Sequence, residues 1–305
     1  MSRLVAVVGS TATGKSDLAV ALALALGGEV VNADSMQLYR GMDIGTAKLT
    51  DAQRRGVPHH LLDVWDVTTT ANVAEYQRLA RGAVDDVLAR GATPILVGGS
   101  GLYVRAVIDP LTFPGTDAAV RAALETELAA DGPQALHDRL RAADPVAALA
   151  IGPANGRKIV RALEVVAITG RPFTAALPDY GSTAGRAYDV VQFAIDPPRE
   201  ELARRIHDRV ERMFDGGLVT EVRSLDRLGL RTGVTASRAL GYAQVLRLLD
   251  GEITEKQARA LTAQRTRRFA ARQRGWFYRD PRIRWLPAAE PELVLELIGW
   301  AGDPA

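Results

Sequence analysis

The chain of 305 residues has no cysteine and only four histidines. With no thiol there is no disulfide framework, no thiolate nucleophile and no zinc-finger module. It also lacks any long hydrophobic run. The longest apolar stretch, Leu18 to Leu26, falls well short of the ~20 residues that a membrane span requires. No basic, apolar and cleavage-site pattern opens the sequence, because a strand-like run begins straight after Arg3, so no signal peptide is expected. These absences point to a cytoplasmic protein with no membrane segment, long enough for one large or two modest domains.

The formal net charge of +2 says little, but its distribution says more. Between Arg259 and Arg284 there are nine arginines and a single acid, Asp280. A run of charge is often only a solvated helix face. Here it is almost uncompensated, and Phe269, Trp276, Phe277 and Tyr278 interleave it, offering faces on which bases can stack. That combination suits a polyanion such as RNA.

Arg3 to Val8 is a short apolar run ending in a glycine-rich turn, and Lys15 to Leu26 is strongly helix-forming, which predicts strand, loop, helix. A second strand is expected over Glu29 to Asn32, a helix over Asn72 to Arg90 and a buried strand over Pro94 to Val97. Strands and helices alternating at these lengths imply a parallel sheet covered on both faces. After Pro110 the pattern changes. From about Thr116 to Thr169 only helical signals occur (Ala118 to Ala129, Pro133 to Ala143, Asn155 to Ile168), bracketed by Pro114, Gly115 and the loop Gly170 to Gly185. β character resumes over Asp189 to Ile195, with helices expected from Pro198 to about Asp215 and from Glu255 to Trp276. The expected division is therefore an α/β core in two parts, 1–113 and 187–305, interrupted by an all-helical insertion domain over 114–186.

The first strand-to-helix turn reads Gly9, Ser10, Thr11, Ala12, Thr13, Gly14, Lys15, Ser16, which meets G-x-x-x-x-G-K-[ST] at every specified position. The glycines permit a loop whose N–H groups converge on phosphate oxygens; Lys15 adds charge, the Ser16 hydroxyl can ligate Mg²⁺, and the following helix points its positive end inward. The fold class is therefore P-loop NTPase-like, and the motif predicts a phosphate or diphosphate ligand without saying what is done to it. P-loop ATPases also carry an apolar strand ending in an acid that organises the metal. The strand Pro94 to Val97 ends instead in Gly98, Gly99 and Ser100. The other candidate acid is Asp34, just past the second strand, where it should face the same crevice as the P-loop; an aspartate in such a place can also be no more than a turn or helix cap.

At this point the sequence resembles a family. The P-loop, Asp34 to Tyr39, Gly41 to Lys48, His59 to Asp63, Leu96 to Tyr103, Arg161 to Glu164, Arg205 to Arg209, Gly241 to Gln244 and Arg272 to Phe277 follow in order, over nearly the whole chain, as in the bacterial tRNA dimethylallyltransferases, the IPP transferase family. The resemblance implies that the P-loop holds the diphosphate of dimethylallyl diphosphate with Mg²⁺, that no nucleotide is hydrolysed, and that the acceptor is N6 of adenosine 37, just 3′ of the anticodon, in tRNAs reading codons that begin with U. An exocyclic adenine amine is a poor nucleophile and needs a base; the family motif makes Asp34 that base, with Ser100 (where the family usually has threonine) and Arg209 beside it. The resemblance also implies tRNA contacts at Asp34, Ser35, Met36, Gln37, Ser100, Arg121, Arg157, Lys158, Arg161, Arg238, Gly241, Tyr242, Arg272, Gln273, Arg274 and Trp276, and a monomer. Departures at Ser10, Thr13, Arg157-Lys158 and Ala243 bear on individual contacts. Three rivals stand beside this reading: a P-loop small-molecule kinase, a prenyltransferase acting on a free nucleotide, and an RNA-binding protein with an idle P-loop.

Overall fold

The computed structural model describes residues 3–173 and 188–299. Six strands, β1 (Leu4–Val8), β2 (Gly28–Asn32), β3 (His59–His60), β4 (Thr93–Gly98), β5 (Val190–Ile195) and β6 (Ile283–Leu286), form one parallel sheet in the order β3-β2-β4-β1-β5-β6. Every residue of β1, Leu-Val-Ala-Val-Val, is buried, as a central parallel strand covered on both faces requires. In register Val8 sits opposite Gly98 of β4 and Ala194 of β5, while Asn32 of β2 sits opposite Val97. The residues just beyond β1, β4 and β2 therefore emerge side by side along one edge of the sheet.

The helices are α1 (Lys15–Leu26), α2 (Asp51–Arg54), α3 (Val73–Ala89), α4 (Gly101–Ile108), α5 (Ala118–Ala143), α6 (Pro145–Ile151), α7 (Gly156–Thr169), α8 (Arg199–Asp215), α9 (Leu218–Arg227), α10 (Tyr242–Leu249), α11 (Glu255–Phe277) and α12 (Pro291–Leu297). Each boundary has a local cause. Asn72 caps α3 by accepting from the N–H groups of Ala74 (2.9 Å) and Glu75 (3.4 Å), Thr254 caps α11 by accepting from the Gln257 N–H (3.3 Å), and α1 ends at Gly27, whose φ of 57° few other residues adopt without strain. Leu18 and Leu22 of α1 join Val5, Val7, Phe193, Ile195 and Leu286 in one core. Among the described residues no helix is long and apolar enough to cross a membrane.

The chain falls into two compact units, Met1–Ile108 with Thr183–Ala305, and Asp109–Ser182. The second contains α5, α6 and α7 around Leu124, Leu136, Leu140, Ile159 and Leu163. Gly132, with φ 79° and ψ 172°, and Pro133 break α5 where two helices were expected. The loop expected over Gly170 to Gly185 lies mostly outside the described residues. β3 and β6 were not foreseen. β3 is only two residues long, and β6 (Ile-Arg-Trp-Leu) is an edge strand at the end of the arginine-rich run, so neither displays a periodic pattern.

Candidate active site

The loop after β1 turns on three residues with positive φ: Gly9 (120°), Ala12 (65°) and Gly14 (94°). For Ala12 that conformation costs about 1 kcal/mol, strain of the kind that collects at functional loops. α1 starts directly after Gly14, so its unsatisfied N–H groups open onto the loop. Long-range bonds fix the loop's shape. The Ser10 hydroxyl donates to the Ala270 carbonyl (3.0 Å), the Thr11 N–H donates to Oε1 of Gln273 (2.9 Å), and Nε2 of Gln273 donates to the Gly99 carbonyl (2.8 Å). Gln273 thereby joins the loop after β1 to the loop after β4.

The Lys15 amine donates to the Ser10 carbonyl. Burial, and secondarily the Arg209 guanidinium, push its pKa down to about 7, against a smaller opposing pull from Asp34. Burial lowers Arg209 too, with Asp34 pulling the other way. Two basic groups thus stand close enough to disfavour each other's charge, an arrangement that a bound anion would relieve.

Asp34 follows β2. Its N–H donates to the Asn32 side chain (2.9 Å), and its Oδ1 accepts from the Met36 N–H (2.9 Å), an Asx turn. Asn32 is itself fixed by donating to the carbonyls of Asp34 and Leu61 (both 3.0 Å). Asp34 is therefore the turn-former that sequence reasoning allowed for, yet only one oxygen is used; among the described residues Oδ2 makes no hydrogen bond. The Ser100 hydroxyl, at the end of β4, lies 3.3 Å from the Ser35 hydroxyl and accepts from the Ser35 N–H at 3.3 Å. Arg209 of α8 reaches in from across the crevice, donating to the Thr11 hydroxyl (3.3 Å) and the Thr46 carbonyl (3.2 Å).

Two adjoining cavities meet at Arg209 and Met213, which line both. The first, about 560 Å³, is walled by Ala12 to Asp17 and by the charged side chains of Lys48, Arg205 and Arg212, with Ile44, Leu49 and Met213 among its apolar positions. The second, about 330 Å³, has Asp34, Ser35, Ser100, Arg238 and Arg272 at its polar positions and Met36, Ile206, Val210, Leu240 and Phe269 at its apolar ones. Sequence reasoning missed Thr46, Arg205 and Met213 as site residues and offered Phe269 only as a face for base stacking. Of the three missed, Arg205 carried a signal, one helical turn from Arg209.

The other expected contacts divide. Arg238, Arg272, Arg274 and Trp276 are exposed on the same unit as the cavities, and the Gln37 side chain donates to the Thr46 carbonyl (3.2 Å). Arg274 is held by Asp196 through two 2.7 Å bonds and lies over the Tyr278 ring. Gly101 makes room for Trp276, since a Cβ there would fall 2.1 Å from the indole. Gln273 is buried with each end of its amide bonded inside the protein, and Tyr242 is buried with its hydroxyl donating to Glu221 (2.5 Å); in this arrangement both position other groups of the site. Gly241 is buried too. In the helical unit Arg157 and Lys158 are exposed, whereas Arg121 and Arg161 converge on the buried carboxylate of Glu164 at 2.6 and 2.8 Å. Burial alone would raise the Glu164 pKa; hydrogen bonds from the two guanidinium groups outweigh that and hold it below the usual carboxylate range. The arginine pair is held in place by this anion, with part of each side chain still facing solvent.

Comparison with known proteins leads to the same chemistry. The IPP transferase family model matches residues 37–280. A tRNA dimethylallyltransferase of Thermobifida fusca is 64% identical over 299 residues, covering 96% of this chain and 92% of the relative. One of Streptomyces coelicolor is 63% identical over 302 residues, covering 97% and 96%. The crystal structure of a full-length tRNA isopentenylpyrophosphate transferase from Bacillus halodurans superposes with a TM-score of 0.71 at 38% identity, covering 98% of this chain and 95% of that one.

Proposed function

The chain belongs to the IPP transferase family, and from that premise we propose that it transfers the dimethylallyl group of dimethylallyl diphosphate to N6 of adenosine 37 in tRNAs reading codons that begin with U. The observation that carries this reading is the pair of adjoining cavities. One is bounded by the P-loop, Lys15 and further cationic side chains; the other is mainly apolar and holds Asp34 and Ser100; Arg209 and Met213 stand where they meet. That shape suits a ligand with a diphosphate head and a short hydrocarbon tail, presented to a base that enters from the other side.

The chemistry follows from the groups present. The amine of adenine attacks the allylic carbon, its N–C bond forms as the C–O bond to diphosphate breaks, and the lost proton passes to the open Oδ2 of Asp34. Ser100 and Ser35 steady the acceptor side. Lys15, Arg209 and the loop N–H groups stabilise the charge that gathers on the leaving diphosphate. A divalent cation, Mg²⁺, fits the donor set: hard oxygen ligands are what it takes, Ser16 lines the phosphate cavity, and among the described residues no group of three or more acids or histidines would bind it without the substrate. Ser16 would hold it together with donor phosphate oxygens, and it would supply further charge neutralisation there. Exposed Arg157 and Lys158, with Arg238, Arg272 and Trp276, are proposed to contact the anticodon stem-loop, and adenosine 37 to leave its stack to reach Asp34.

The donor is tested by incubating protein and tRNA with Mg²⁺ and either dimethylallyl diphosphate or ATP. Diphosphate release that depends on tRNA, with no turnover of ATP, is the expected outcome. ATP consumed with phosphate passed to an acceptor would establish the kinase reading instead.

A further inference from the structure

The wall shared by the two cavities is a loop, Met42 to Lys48, closed by turns of its own, with the Ala47 N–H donating to the Ile44 carbonyl (3.0 Å), the Lys48 N–H to the Asp43 carbonyl (2.9 Å) and the Thr46 hydroxyl to the Met42 carbonyl (2.6 Å). A further anchor comes from outside it. The Glu221 carboxylate of α9 accepts three successive backbone N–H groups, from Asp43 (3.2 Å), Ile44 (2.7 Å) and Gly45 (3.3 Å). Such a row of N–H groups is an anion-binding nest, and the anion here is part of the protein. Glu221 also accepts from the Tyr242 hydroxyl at 2.5 Å. The Tyr242 ring lies flush on the loop: a Cβ on Gly45 would sit 2.4 Å from it, so only glycine permits the contact. The far side of the loop faces the site. The Thr46 carbonyl accepts from Arg209 and Gln37 (both 3.2 Å), Asp43, Ile44, Ala47 and Lys48 line the phosphate cavity, and Gly45 and Thr46 line the other.

From this geometry we infer that Glu221 is a positioning residue for the reaction: its carboxylate folds the Asp43 to Thr46 loop into the form that seats Arg209 and the donor diphosphate, and Tyr242 ties it to the Arg238 to Leu240 turn on the acceptor side. Tyr242 opens α10 directly after Gly241 (φ 88°), and Arg238, Ala239 and Leu240 line the second cavity. Movement of that turn is passed through the Tyr242 hydroxyl to Glu221, and from there to three N–H groups of the donor loop. Sequence gives no sign of this, because Glu221 looks like any solvated acid on an amphipathic helix.

The inference rests on the proposed donor, so the test separates the two. Binding of inorganic diphosphate is measured by calorimetry, and steady-state kinetics by tRNA labelling, for the wild type, Glu221→Gln, Tyr242→Phe and the double variant. Glu221→Gln keeps the shape and removes the charge; it is expected to weaken diphosphate binding and raise the donor KM about tenfold, the size of a lost charge-assisted hydrogen bond, with the tRNA Kd unchanged. Tyr242→Phe is expected to act in the same direction and less strongly, and the double variant to be no worse than Glu221→Gln, because both act through one carboxylate. A donor KM and diphosphate affinity within twofold of wild type in Glu221→Gln, even with a lowered Tm, would overturn the inference and leave Glu221 a purely structural group. A wild-type protein that binds no diphosphate and labels no tRNA would overturn the proposed function itself.

Discussion

Asp34→Asn is expected to lower kcat by about 10²–10⁴-fold, the usual contribution of a positioned general base, while the tRNA Kd stays within a few-fold. The substitution discriminates because of the Asx turn. Asparagine still presents an Oδ1 to the Met36 N–H, which Asp34 now meets at 2.9 Å, so the turn and its neighbours survive. Only the open oxygen is replaced, by an amide that can accept no proton. Single-turnover labelling of tRNA, with affinity measured separately by filter binding, reads the two quantities apart. Full activity in Asp34→Asn would leave Asp34 as a turn residue alone and require another base, for which the second cavity offers no other carboxylate.

The second large effect belongs to Lys15. Lys15→Ala is expected to cost about 10²–10³-fold in donor kcat/KM, on the scale of losing one preorganised electrostatic contact to the charge that develops in the transition state. A dependence on pH comes with it. In the free protein burial and Arg209 hold the Lys15 pKa down at about 7, so the amine is largely neutral at pH 8. Diphosphate favours the charged form and raises the pKa again. Binding at pH 8 must therefore take up a proton, and donor affinity must fall as pH rises above 7; below 7 the amine is already charged and its contribution levels off. Calorimetry with inorganic diphosphate in two buffers of different ionisation enthalpy reads the proton directly. Lys15→Ala should abolish the uptake. An uptake that persists in Lys15→Ala would assign the proton to another group.

These two residues were also the most legible in the sequence, for a physical reason. The P-loop is local: strand, glycines, lysine and helix start are contiguous, so the motif carries its own geometry. Asp34 was legible one step less directly, because loops after neighbouring parallel strands must open on the same edge, whereas Ser100 was singled out by the family resemblance. Arg209 needed the family resemblance, since nothing local says that a helix nearly two hundred residues later crosses the crevice. The arginine-rich helix misled in part. α11 buries Ala258, Thr262, Ala263, Ala270, Gln273 and Phe277 on one side, but small and polar residues on that stripe hide its amphipathic character beneath the arginine count. Gln273 thus looked like part of the RNA-facing surface and is instead the joint between two active-site loops. Arg121 and Arg161 looked like free cations because the sequence cannot show that Glu164 lies buried between them.

The most direct test of the central claim is to give the protein Mg²⁺, labelled dimethylallyl diphosphate and three acceptors: an unmodified tRNA with adenosine 37, the same tRNA with guanosine 37, and AMP. Label on the first alone is the expected result, and recovery of N6-(dimethylallyl)adenosine from it would place the group. Label on AMP, or equal label on the guanosine variant, would contradict the account.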